Sequence, residues 1–227
     1  MKNIIELKNL AKTYQLKNLE VPVLHDINLE IKSGEMIAII GPSGSGKSTL
    51  MNIIGLLDRP TSGEFKLKGE TITLNMPDKK LAGIRAKTIG FIFQSFNLLP
   101  KQSSLANVLL PTAYLKQKNA NNKALELLKK VGLSHRLNHK PTEMSGGEKQ
   151  RIAIARALIN DPEIILADEP TGNLDSKSGQ QIIDILKDLN KEGKTIIIIT
   201  HDEKIARQCM RTIRLFDGKI SGDNNDQ

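Results

Sequence analysis

The sequence predicts an α/β fold built on a parallel sheet, and three observations lead to it. Ile164-Ile165-Leu166-Ala167 and Ile196-Ile197-Ile198-Ile199 are unbroken apolar runs of strand length, the pattern of strands buried on both faces. Between them, residues 176–192 read as a helix whose Ile182, Ile183, Ile185, Leu186 and Leu189 form one apolar stripe, closed by Gly193; strand, helix and strand make a βαβ unit. The third observation is a buried strand at Met36-Ile37-Ala38-Ile39-Ile40, then Gly41-Pro42-Ser43-Gly44-Ser45-Gly46-Lys47-Ser48-Thr49, then a helix over 49–57.

That loop fits the G-x-x-x-x-G-K-[ST] phosphate-binding pattern and lies in the strand–loop–helix context the pattern requires. Its glycines let consecutive N–H groups turn into one concavity that cradles phosphate oxygens. Lys47 is placed to reach the β- and γ-phosphates, and the Ser48 hydroxyl to coordinate Mg²⁺, so a nucleoside triphosphate is the first ligand to consider. The helix N-terminus that follows favours the same anion.

The other elements follow in order. Period-two stretches, Ile5-Glu6-Leu7-Lys8 and Ile27-Asn28-Leu29-Glu30-Ile31-Lys32, predict half-exposed antiparallel strands around Tyr14. Residues 94–145 change to helical segments near 105–115 and 122–131, separated by Pro111, Gly132 and Pro141, which predicts a helical insertion. The polar residues 221–227 read as a frayed tail. The expected organisation is one domain over 1–227: an antiparallel β subdomain and parallel core over about 1–94 and 160–220, and a helical subdomain over about 95–159.

Composition narrows the class. No apolar run approaches the ~20 residues needed to cross a bilayer, residues 1–6 lack the apolar core of a secretory leader, and no lipidation motif is present. Cys209 is the only cysteine, which excludes an intramolecular disulfide, suits a reducing cytoplasm and reads as structural. The net charge of +8 is spread along the chain, aromatics are 3% of residues and Trp is absent, which argues against a base-stacking nucleic-acid platform. His135 and His139 have i, i+4 spacing, but with no neighbouring Cys or further His they make a poor metal site.

Two further segments carry chemistry. Asp168 and Glu169 end the apolar run 164–167; Asp168 suits a Mg²⁺ partner through a hydroxyl or water shell, and Glu169 a general base or water-orienting group. Met144-Ser145-Gly146-Gly147-Glu148 opens a helix with an apolar segment at 152–159, and Ser-Gly-Gly at a helix start is a second anion site. One chain thus holds two half-sites for phosphate.

With these motifs in this order, the sequence resembles the ATP-binding cassette family over roughly residues 4–220. The resemblance implies a phosphate-loop NTPase with a RecA-like parallel core sheet, an antiparallel β subdomain and an inserted helical subdomain, hydrolysing ATP with Mg²⁺. It implies that Tyr14 stacks on adenine, Gln94 senses Mg²⁺ and the attacking water, and Ser145, Gly146, Gly147 and Glu148 form the family signature. It further makes Asp168 the metal aspartate, Glu169 the catalytic glutamate, Gly172-Asn173-Leu174-Asp175 a dimer-facing loop and His201 the switch that contacts the γ-phosphate. The weaker alternatives are that Tyr14 is a core aromatic and Gln94 a surface residue.

The resemblance also implies a homodimer that sandwiches two ATP molecules, each shared by Lys47 of one copy and Ser145 of the other. Closing and opening of that dimer would power two copies of a separate permease, docked at Phe93-Gln94-Ser95-Phe96-Asn97-Leu98-Leu99-Pro100 and the helical insertion, on the cytoplasmic face of a membrane. The motifs 55–60, 94–100 and 167–175 are most similar to the macrolide-export, lipoprotein-release and antimicrobial-peptide branch, whose permeases have a large extracytoplasmic domain and in which an accessory adaptor protein is a candidate partner. Ala106, where that branch usually has a glutamate, and Met144, where it usually has leucine, depart from its pattern. A cassette that transmits a signal without moving a substrate shares every motif. A soluble DNA-repair or chromosome-organising ATPase would need a longer coiled-coil or zinc-bearing insertion than residues 94–145.

Overall fold

The computed structural model describes residues 2–17, 19–115 and 118–225. It divides into two compact units, residues 1–82 with 195–227 and residues 83–194. The boundaries expected near 94/95 and 159/160 both fall inside the second unit.

In the first unit, β1 (Asn3–Leu16) and β2 (Leu19–Lys32) form a long antiparallel pair with Ile5 opposite Ile31, Leu7 opposite Leu29 and Leu10 opposite Ile27. Alternation puts Ile27, Leu29 and Ile31 in the core and Asn28, Glu30 and Lys32 outside, as the period-two pattern requires. The register slips between Leu7 and Leu10, where Asn9 takes φ 47 and its N–H is caught by Asn28 Oδ1 at 2.9 Å.

β3 (Met36–Ile40), wholly buried, leads through the glycine-rich loop into α1 (Lys47–Ile54). This helix begins earlier than expected because Lys47 and Ser48 occupy its first turn, and it ends before 57 where Leu56 adopts φ 56. β4 (Ser62–Leu67) then pairs with β1, seating Phe65 opposite Leu7, and β5 (Glu70–Thr71) pairs with β4.

The second unit is entered through α2 (Asp78–Thr88) and contains β6 (Ile89–Ile92), α3 (Ser104–Leu109), a short 3₁₀ turn at Leu110–Tyr114, α4 (Ala120–Lys130), α5 (Gly146–Leu158), β7 (Ile164–Asp168) and α6 (Ser176–Lys191). β6 and β7 run parallel, Ile89 beside Ile164 and Ile92 beside Ala167. α5 is the hub, packed against α3, α4, α6 and β6. Gly90 is required there, since a Cβ would lie 2.6 Å from the Ala157 carbonyl oxygen. On α6, Ile182, Ile183, Leu186 and Leu189 are buried while Ile185 is half-buried at the edge of the stripe. Asp175 caps the start of that helix by accepting the N–H groups of Lys177 and Ser178, and Gly193 at φ 94 ends it.

The chain returns to the first unit with β8 (Thr195–Ile199), α7 (Glu203–Ala206), β9 (Arg211–Phe216) and β10 (Lys219–Asn225), in spatial order β10-β9-β3-β8. β3 is parallel to both neighbours, and β10 pairs antiparallel with β9. Residues 221–225 are therefore strand rather than frayed tail; 226 and 227 lie outside the described residues. An edge strand is held by backbone hydrogen bonds, which a polar sequence supplies as well as an apolar one. Here side chains add to them: Arg211 donates Nε to Asp223 Oδ1 at 2.7 Å and Nη2 to Oδ2 at 2.6 Å, a bidentate pair.

Gly63 and Gly69 make a matched test of close packing. Both have positive φ, 91 and 81, but a Cβ on Gly63 would lie 2.5 Å from Asn9 O and Leu10 Cα, whereas one on Gly69 meets nothing within 4 Å. Gly69→Ala should cost only the left-handed backbone penalty of ~1–2 kcal/mol, and Gly63→Ala a further ~1–3 kcal/mol of overpacking, read from urea unfolding midpoints.

Candidate functional site

In the first unit the phosphate loop forms where β3 ends. Gly41 has no room for a side chain, since a Cβ would lie 2.1 Å from the Leu215 carbonyl oxygen. Gly44 and Gly46 adopt φ 82 and 99, and a Cβ on Gly46 would strike Leu24 Cδ2 at 2.8 Å. The loop is thus wedged between β2 and β9, and the β9–β10 turn braces it through Gly218 N–H donating to Ser45 O at 3.1 Å.

Within the loop, Pro42, Ser43, Gly44 and Ser48 are exposed, Gly41, Gly46, Lys47 and Thr49 half-buried, and Ser45 is buried with its hydroxyl unpaired. The Lys47 ammonium arches over the loop and donates to the Gly41 and Pro42 carbonyls, each at 2.8 Å. The Thr200 N–H at the end of β8 donates to Ile39 O at 3.2 Å, so exposed His201 follows at the same carboxyl edge as Gly41. That edge is where open α/β sheets bind ligands.

Tyr14 is half-buried on β1. Its hydroxyl donates to Asp58 Oδ2 at 2.7 Å, and the Lys12 ammonium lies 4.5 Å from its ring centroid. Burial and then the bond to Asp58 push the phenol pKa up, while a hydrogen bond from Thr49 acts the other way. Burial would raise the Asp58 carboxyl, but bonds from Lys12 and then Tyr14 outweigh it and hold the group below the usual carboxylate range.

The second unit gathers its own set. Gln94 follows β6, and Asp168 and Glu169 follow or end β7, so all three leave the carboxyl ends of two paired parallel strands. Asp168 and Glu169 are half-buried, Gln94 is exposed, and Glu169 sits at φ 42, a strained setting for a non-glycine residue. Asn173 Nδ2 donates to Gln94 O at 2.9 Å, and a Cβ on Gly172 would lie 2.6 Å from Gln94 Nε2, so the loop 172–175 lies against Gln94. Fully buried Gln150 on α5 ties them, donating Nε2 to Pro170 O at 2.7 Å and to Phe93 O at 3.4 Å.

At the start of α5, Ser145 is the N-cap of a complete capping box. The Glu148 carboxylate accepts from Ser145 N–H at 2.9 Å and Oγ at 3.0 Å, while Glu148 N–H donates back to Ser145 Oγ at 3.3 Å. Arg136 Nε donates to the other carboxylate oxygen at 3.1 Å. The Ser145 backbone N–H is the main cause that holds the Glu148 carboxyl below its usual range. Gly146 is half-buried under Leu174, and Gly147 is buried against Ser178.

Sequence reasoning did not single out Lys12, Gln150 or Arg156. Lys12 had a signal, standing two residues from Tyr14 on one strand. Arg156, whose ionisation burial disfavours, donates to the Phe96 carbonyl at 2.8 Å and to that of Asn97, two residues at φ 61 and 49. No local pattern announces that contact.

A parallel core with the phosphate loop between β3 and α1, accompanied by an antiparallel sheet, is the fold of a phosphate-loop NTPase. Residues 24–172 match the ABC transporter family. An uncharacterized ABC transporter ATP-binding protein of Bacillus subtilis, YvrO, is 53% identical over 219 residues, covering 96% of this chain and 95% of its own. The macrolide export ATP-binding/permease protein MacB of Bdellovibrio bacteriovorus is 52% identical over 224 residues, 99% of this chain but 34% of that protein. The chain therefore spans about a third of that relative. The dimeric cassette MJ0796, in a post-hydrolysis state bound to ADP and Pi, matches with a TM-score of 0.89 and 46% identity over 98% of this chain and 99% of its own. The chain belongs to the ABC transporter family as its ATP-binding cassette and is an ATPase. Among the described residues, no helix is long and apolar enough to cross a membrane.

The capping box sets a pH signature. With a lowered folded-state pKa, Glu148 stabilises the fold above its unfolded pKa and loses that contribution as pH falls through the folded value. Glu148→Gln should therefore unfold at lower urea than the parent at neutral pH, with the difference closing on acidification.

Proposed function

We propose that the chain powers a membrane exporter of the macrolide, antimicrobial-peptide or lipoprotein type through an ATP-dependent cycle of dimer closure and opening. One observation carries the reading: a single chain presents two anion-ready segments, the loop 41–49 and the self-capped helix start at Ser145. The two-copy arrangement of the MJ0796 cassette and the 52% identity to a macrolide export protein support it.

In this reading the loop N–H groups and the Lys47 ammonium hold the triphosphate, and Tyr14 stacks on adenine. The left-handed glycines and the closed-off Gly41 fit a backbone cradle for phosphate. Ser48, Asp168 and Gln94 would hold Mg²⁺, which neutralises phosphate charge. A hydroxyl, a carboxylate and a carboxamide oxygen are each hard oxygen donors of the kind this ion takes. Glu169 accepts a proton from the attacking water at a carboxylate oxygen, and His201 contacts the γ-phosphate. Ser145, Gly146 and Gly147 of one copy close on the nucleotide held by the other, with Glu148 orienting the serine. That contact weakens when the γ-phosphate leaves, so hydrolysis reopens the pair.

The partners in this reading are a second copy, two copies of a permease with an extracytoplasmic domain and an accessory adaptor, with the cassette peripheral on the cytoplasmic face. Residues 93–100 and the helical segment form the permease contact. The loop 99–103 there is stapled by buried Asn107, which accepts Leu99 N–H at 2.7 Å and donates to Leu99, Gln102 and Ser103 carbonyls.

Glu169→Gln should retain ATP, lose ~10²- to 10⁴-fold in turnover and run as an ATP-bound dimer in size exclusion. Near-parental hydrolysis would remove Glu169 from the role of base. Lys47→Ala should weaken ATP binding by ~10- to 100-fold, the loss expected of charge-assisted hydrogen bonds. Co-purification with the permease, followed by vesicle transport of a macrolide or cationic peptide, tests the export reading. ATP turnover without transport would favour a signalling cassette.

A further inference from the structure

The Lys12, Tyr14 and Asp58 cluster is more closely bonded than stacking alone requires. A single carboxylate bridges the two other groups: Oδ2 accepts from the Tyr14 hydroxyl and Oδ1 from the Lys12 ammonium, both at 2.7 Å. The same ammonium donates to Arg59 O at 2.7 Å and sits 4.5 Å from the Tyr14 ring centroid. Lys12 is 9% exposed, an unusual burial for a lysine, and its charge is matched by Asp58 and a carbonyl dipole. Tyr14 itself is only half-buried, so part of its surface remains open to a ligand.

Asp58 lies just beyond α1, whose first turn contains the phosphate-loop residues Lys47 and Ser48, and its own backbone N–H is anchored to Asn52 O of that helix at 3.1 Å. A ring held by Asp58 is consequently fixed relative to the phosphate loop, at one base-to-phosphate separation.

We propose that Lys12 and Asp58 are positioning residues that lock the Tyr14 ring as a base platform at a fixed distance from the phosphate loop, and so set the adenine-dependent share of nucleotide affinity. This rests on the reading of Tyr14 as the adenine platform. Without Lys12 the ring loses its covered face, and without the Asp58 charge both donors lose a shared acceptor. In either case the ring must be ordered anew by each incoming base.

The test compares ATP with inorganic tripolyphosphate, which has no base, by calorimetric titration of the full chain. Tyr14→Ala, Lys12→Met and Asp58→Asn should each weaken ATP by ~3- to 10-fold and leave tripolyphosphate within about twofold, while Lys12→Arg stays near the parent. If Tyr14→Ala weakens ATP selectively but Lys12→Met and Asp58→Asn do not, the lock is wrong and the platform stands. If Tyr14→Ala leaves ATP unchanged, the platform reading falls and the lock with it. Equal loss of both ligands in Lys12→Met and Asp58→Asn, or the same loss in Lys12→Arg as in Lys12→Met, overturns the lock as well.

Discussion

A buried carboxamide organises the chemistry of the second unit. Parallel strands deliver Gln94, Asp168 and Glu169 to one edge, but the loops that follow have no ladder to hold them. Gln150 supplies the missing constraint, since its amide nitrogen reaches both the residue before Gln94 and the proline after Glu169. Because Gln150 stands on the helix that Ser145 opens, the start of α5 and the segment after β7 are tied through one side chain. Its carbonyl oxygen is buried without a partner, a cost accepted for holding two backbone segments from one side chain.

The first unit solves the same problem with sterics. Gly41 passes under the Leu215 carbonyl and Gly46 against Leu24, so β9 and β2 close around the loop, while Gly218 of the bracing turn packs against Val23. The backbone N–H groups proposed to receive phosphate are thus held in place by packing, which in that reading removes an ordering cost from binding. Strain is admitted where geometry demands it, at Glu169, Phe96 and Asn97, and Arg156 offsets it for the latter pair.

Much of this was legible because the motifs state backbone requirements directly. Buried strands declared themselves by unbroken isoleucines, α6 by its stripe and Gly193, and the phosphate loop by glycines whose positions have no room or the wrong φ for anything else. What escaped was bonding between residues distant in sequence. β10 was missed because edge pairing uses the backbone and Asp223 finds Arg211 only after the strands align. Asp58 stood out only as part of the motif 55–60, because its tie to Tyr14 spans 44 positions. Gln150 reads as one more polar residue on a helix until α5 is packed.

The self-capped start of α5 has a consequence for selectivity. An open helix N-terminus attracts any anion in the cell, but here a carboxylate of the same chain already occupies the serine N–H and hydroxyl. At Ser145 a visiting chloride, carboxylate or monophosphate meets a tethered competitor that never diffuses away. The serine of this helix end is therefore already engaged by its own chain's charge before any ligand arrives.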